Sequence, residues 1–232
     1  MNKIPAFLVA AAAFASPASA AERRYSITDF DRVVVEGPYT VRLTTGRPSS
    51  AVANGSQQSL DRVSVEVVGR TLRIRPNRSV SGGYPGDRTG PVTVEIGTRE
   101  LRSATVAGPG SLTIDRAAGL RVDLGLEGSG RLSVGALAAD VVTLGAIGSG
   151  RVELGGRTEQ LRANVHGTAD FDGTRLVAEA ATISTDSAGR VAVGVSERAT
   201  VAASGLGEVE IIGSPACTVS GLSAGQVRCG SR

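Results

Sequence analysis

The sequence has no tryptophan, a single histidine and only 3% aromatic residues. A core built on large rings is therefore excluded, and small and β-branched side chains must fill a narrow interior, as they do in stacked coils. Lys3 is the only lysine, so every permanent cation beyond it is an arginine. The formal charge of +3 falls to +2 without Lys3, and the remaining arginine excess is spread along the chain. Nucleic-acid binding would need a clustered basic face with stacking aromatics, and neither is present. Weak attraction to anionic polysaccharide or lipid stays open. Long apolar runs are also lacking. The one near the start is too short to span a bilayer, and no later one is longer.

That first apolar run has another reading. Lys3 gives a positive start, Ile4 to Phe14 is apolar and rich in alanine, and Ala18-Ser19-Ala20 is a small-x-small cleavage site. Residues 1–20 are expected to be an export signal. No cysteine follows the apolar run, so lipid attachment there is not expected. About 210 residues remain, an ordinary size for one all-β domain. Residues 21–29 read as a polar leader, and 30–232 as a single domain.

What the chain has in quantity is glycine, with 31 residues. Many of these fall in a recurring triplet: Gly108-Pro109-Gly110, Gly128-Ser129-Gly130, Gly148-Ser149-Gly150, Gly167-Thr168-Ala169, Ser187-Ala188-Gly189, Gly205-Leu206-Gly207 and Ser223-Ala224-Gly225. The third members are spaced by 20, 20, 19, 20, 18 and 18 residues. So steady a period marks stacked units. Two and four positions after the third member come pairs such as Leu112/Ile114, Leu132/Val134 and Val152/Leu154. Eight, six and four positions before it come sets such as Val122/Leu124/Leu126 and Val142/Leu144/Ala146. Alternation by twos sends these residues inward and their neighbours to solvent. A helix would need a 3.6 period and would be weakened by this much glycine. The pattern predicts an all-β, parallel solenoid of about seven coils, each 18–20 residues long and starting near residue 101. At ~4.8 Å per coil it makes a rod of about 34 Å.

The N-terminal third alternates in the same way at Val33 to Val35, Tyr39 to Leu43, Val63 to Ile74 and Val92 to Ile96. It is expected to form less regular strands covering one end of the stack. Residues 79–90 contain four glycines and a proline and read as the longest exposed loop.

Solvent-facing positions offer few chemical constellations. Directly after the triplets come Ser111, Arg131, Arg151, Asp170, Arg190, Glu208 and Gln226, and Thr143, Thr182, Thr200 and Thr218 form a partial threonine column. A threonine column is most simply a β-branched strand preference. His166 lies near Asp170 and Asp172, a set too small for a calcium loop or a metal centre. The acids do not converge as a glycosidase or lyase would require. The glycine triplets match no nucleotide fingerprint and are read as turns, so no cofactor and no metal is expected. Cys217 and Cys229 fall in inward columns of the last coil, and in an exported chain such a pair is expected to form a disulfide.

The run Phe30 through Leu43, the hairpin Val63 to Ile74, the strand Val92 to Ile96 and the Gly-Ser-Gly coils at Gly128 and Gly148 together resemble the head-GIN domain family. Members are described as auto-transporter adhesin heads. The resemblance covers nearly all of the chain after the signal. It implies a right-handed β-helix-like solenoid at the cell envelope and brings no catalytic residues. The expectation is a non-enzymatic, exported binding scaffold, periplasmic or at the cell surface. Its partner would be an envelope protein, a polysaccharide or a second copy of the chain. A periplasmic structural or signalling module is the alternative, and a polysaccharide-acting enzyme a distant third.

Overall fold

The computed structural model describes residues 21–77 and 90–231. The expected export signal at 1–20 and all of the 79–90 loop but Gly90 lie outside the described residues. The fold is a β-solenoid of about six turns, with 72% strand and 4% helix, close to the seven coils expected from the period.

The regular array is formed by the strands Ser111–Gly128, Arg131–Gly148, Arg151–Gly167, Asp170–Ser187 and Val191–Ala203, stacked in parallel. Like sits on like: Leu132 pairs with Leu112 on one side and Val152 on the other. The inward columns are almost fully sealed, with Leu112, Leu132, Val152 and Val191 all at 0% exposure. Each such aliphatic side chain contributes roughly 1.5–3 kcal/mol on burial, so the stack is held by its interior.

Each coil differs from the two strands expected. It is one nearly continuous strand paired in three segments, which in the first pair of coils run 111–114, 116–119 and 121–128. The middle segment adds inward positions, one filled by the buried Ala117, Leu137 and Leu176 and the next by the buried Ala139, Ala178 and Val195. It turns a corner, and the strict alternation by twos breaks there, which hides it from a period-2 reading.

The N-terminal third is interleaved with the array. Strand Arg32–Glu36 pairs in parallel with Thr71–Pro76 on one side and Ser103–Ala107 on the other. Strand Thr40–Thr45 likewise lies between Thr93–Thr98 and the start of Ser111–Gly128. The rung made by residues 32–45 is thus inserted between a rung that follows it in sequence and the first regular coil. An ionic cluster ties the three rungs. The buried Asp31 carboxylate accepts from Arg70 Nε at 2.9 Å and lies 3.5 Å from Arg102 Nε. Glu100 reaches both arginines, at 3.6 and 3.3 Å.

Antiparallel strands close this end. Ser50–Gly55 pairs with Thr93–Thr98, and Val63–Val68 pairs with Thr71–Pro76. Residues 21–25, read as part of a polar leader, form the strand Ala21–Tyr25, antiparallel to Ser50–Gly55. A short helix, Gln57–Asp61, starts at the Ser56 cap and buries Leu60 completely. At the other end Ala216–Ser220 and Val227–Ser231 stack on Val191–Ala203 and Val209–Ile212.

Candidate ligand-binding faces

The triplets stack into a single column of turns. Gly128 and Gly148 have φ of +105° and +117°, a region that glycine enters without the steric penalty of a β-carbon. The third members are restricted by crowding. A β-carbon on Gly130 or Gly150 would run into the carbonyl oxygen of Gly110 or Gly130 in the preceding coil. Backbone bonds join the coils here: Arg131 N–H donates to Gly110 O at 2.9 Å, Arg151 N–H to Gly130 O and Asp170 N–H to Gly150 O, both at 3.0 Å. Gly108 and Gly167 also have positive φ, and Gly189, Gly205 and Gly207 would likewise place a β-carbon against backbone of the preceding coil. Gly225 has open space around it, because the last turn is longer and carries a 3-10 helix at Ala224–Gln226.

The column begins one rung earlier than the repeat count placed it. Gly37, with φ of +105°, donates its N–H to Ala107 O at 3.1 Å, and Ser111 N–H donates to Tyr39 O at 2.8 Å. Gly37-Pro38 repeats the Gly108-Pro109 pair, and that dipeptide is the signal that finds this turn in the sequence.

An open groove of about 410 Å³ follows the turn column across four coils. Ser129 and Ser149 line it from the turns, and Arg131, Arg151 and Asp170 from the strands that follow. The stacked arginines do not face one another unrelieved. Arg131 pairs with Glu153 at 3.3 Å, Arg151 with Asp170 at 2.9 Å, Arg228 with Glu208 at 2.8 Å, and Arg190 with Glu210. Exposed pairs of this kind add little stability, but they make the face a mixed-charge ladder. Asp172 is held below the usual carboxylate range by Thr174, whose hydroxyl and N–H donate at 2.7 and 3.1 Å.

The strand segments before the turns present a different surface. Thr182, Thr200 and Thr218 lie in register on successive rungs, all exposed. Asn164, Ser184, Ala202 and Ser220 run beside them. Arg162 separates Thr143 from the rest of the threonine column. His166 is exposed at the edge of this surface, in register with Ile147 and Asp186. Asp170 and Asp172 lie beyond the turn, committed to Arg151 and Thr174. Among the described residues no three metal-ligating side chains gather.

Cys217 and Cys229 are joined by a disulfide, with Cα atoms 6.5 Å apart. Their rung neighbours Ala199 and Ile211 are fully buried, whereas the cysteines themselves are exposed. Among the described residues no strand covers that end. No described helix is long and apolar enough to cross a membrane.

Comparison with known proteins agrees with this architecture. Residues 29–215 match the model of the family described as "Putative auto-transporter adhesin, head GIN domain". No curated protein matches the sequence. A solved "putative adhesin" from Bacteroides fragilis superposes with a TM-score of 0.77 at 18% identity, over 88% of this chain and 94% of that one. A "putative adhesin" from Parabacteroides merdae gives 0.67 at 13% identity, over 93% and 97%. A "putative lipid binding protein" from Parabacteroides distasonis gives 0.65 at 19% identity, over 88% and 94%. At these identities the likeness is one of fold. The family match spans most of the solenoid, including the inserted rung and the Gly-Ser-Gly turns, and the chain belongs to the head GIN domain family.

Proposed function

We propose that the chain is a non-enzymatic, exported binding scaffold of the cell envelope, an adhesin-type head that holds its ligand against the rigid outside of the solenoid. The groove along the turn column carries this reading. It crosses four coils and presents serine hydroxyls together with arginine and aspartate side chains. The backbone beneath it is fixed by hydrogen bonds between turns, so little ordering cost falls on binding. The charged groups along it pair across neighbouring rungs and do not converge as an acid, a base and a nucleophile would. The adhesin names of the family and of the solved neighbours support the same reading. A disulfide fits an oxidising compartment outside the cytoplasm, in keeping with a signal at residues 1–20.

The test is retention of the full chain on immobilised envelope fragments. Ser129 and Ser149 are exposed, so the paired changes Ser129→Arg and Ser149→Arg should abolish retention without lowering the thermal midpoint. Failure of the unmodified chain to bind any envelope fraction overturns the reading. Protease shaving of intact cells tests its location: cleavage supports display at the surface, and full protection refutes it.

A further inference from the structure

A second concavity, of about 660 Å³, lies where the inserted rung meets the regular coils. Three arginines line it: Arg32, Arg102 and Arg121. Arg102 is committed, held by the buried Asp31 at 3.5 Å and by Glu100 at 3.3 Å. Arg32 and Arg121 have no ion pair or side-chain hydrogen bond among the described residues, and both are exposed. That sets them apart from Arg131, Arg151, Arg190 and Arg228, all of which face an acid. Asp123 lines the same concavity and is likewise without a partner there. Leu120, 79% exposed at the corner of the coil, supplies an apolar wall.

We infer that this concavity binds the acidic sugar unit of a uronate-bearing polysaccharide. A guanidinium engages a carboxylate through two parallel N–H donors, the strongest charge-assisted geometry available to a side chain. Arg32 and Arg121 supply that contact. Asp123 accepts from ring hydroxyls, and Ser103, between them, can donate or accept. Arg32, Ser103 and Asp123 stand in register on three successive rungs. Their backbones therefore span about 9–10 Å, room for a pyranose ring lying along the stack with its apolar face on Leu120. A bare phosphate would leave Asp123 and Leu120 unused, and a neutral sugar would leave the charge of both arginines unanswered. The inference rests on the binding-scaffold reading in taking the ligand to be an envelope polymer, but its site is separate from the turn groove.

The test is calorimetric titration of the full chain with oligogalacturonate, with its methyl ester and with inorganic phosphate. Oligogalacturonate should bind, and more weakly as salt rises. Its ester, which keeps the hydroxyls and loses the charge, should bind about tenfold more weakly or not at all. Arg32→Gln and Arg121→Gln should each weaken binding by about tenfold, with unchanged thermal midpoints because neither side chain has an ion pair or hydrogen bond among the described residues. Arg151→Gln, in the turn groove, should leave it unaltered. Equal binding of acid and ester overturns the inference, as does phosphate binding that matches the oligomer. Retention on envelope fragments with no response to oligogalacturonate sinks this site and spares the scaffold reading. Silence in both assays sinks both.

Discussion

Gly150 lies so close beneath Gly130 that a β-carbon on it would enter the Gly130 carbonyl oxygen. Gly145, five residues earlier in the same coil, has nothing within 4 Å of where its β-carbon would stand. Gly150→Ala should therefore force the two coils apart and cost about 3 kcal/mol or more. Gly145→Ala should stay within about 0.5 kcal/mol of the parent. Urea unfolding of both variants checks the contrast, and equal losses would refute the role given to the turn column.

Asp31→Ala should destabilise the protein by about 2–3 kcal/mol, since it leaves Arg70 and Arg102 without the buried carboxylate that joins three rungs. The loss should appear as faster amide exchange in strands Arg32–Glu36, Thr71–Pro76 and Ser103–Ala107. Exchange that rises evenly over the whole solenoid would argue against a local tie.

The disulfide closes a short loop, and its removal by Cys217→Ala with Cys229→Ala should cost about 3 kcal/mol. The effect should be confined to the last coil, because only Ala216–Ser220 and Val227–Ser231 hang on it. Proteolysis that starts in those strands is the expected result. Unchanged protection there would show that the bond constrains nothing.

Acid stability should respond to Thr174. The Asp172 carboxyl has a folded-state pKa below its ordinary value of 3.8, chiefly through the Thr174 hydroxyl. Its contribution to stability is therefore fully present above that value and is lost as pH falls through the lower folded-state value. Thr174→Val should lower the thermal midpoint near neutral pH, with the difference from the parent shrinking below about pH 4. A difference that stays constant down to acid would mean that the hydrogen bond is not its source.

The regular coils were legible because each carries its own turn signal and its own alternation, so aligning Gly110, Gly130 and Gly150 sorted Leu112, Leu132 and Val152 into one inward column. Two features were not. The corner segment of Ala117, Leu137, Leu176 and Val195 was hidden because the register shifts between coils there. The place of residues 32–45 was hidden because alternation marks a strand without naming its partner. Nothing local at Val33 says that it pairs with Leu72 and Ala104. The outward column after the turns sets Arg131 next to Arg151, and nothing in the spacing shows what relieves that charge. Its relief comes from acids such as Glu153 and Glu210, which belong to the neighbouring outward column and become partners only once the rungs are in register. The cysteines were placed in inward columns, and their exposure follows from what lies beyond the last rung, which a column alignment does not address. The Arg32–Arg121 concavity joins residues from two separated rungs, so no spacing in the sequence announces it.

The inserted rung also constrains how the chain can assemble as it emerges. Each regular coil finds its template already in place, so that part can zip in one direction. Strands 32–45 are made early, but one flank arrives with residues 71–98 and the other with 103–114. Such non-local pairing is slow to nucleate. The amino end of this protein therefore cannot complete itself as it is made, and it stays open until roughly half of the chain has been delivered.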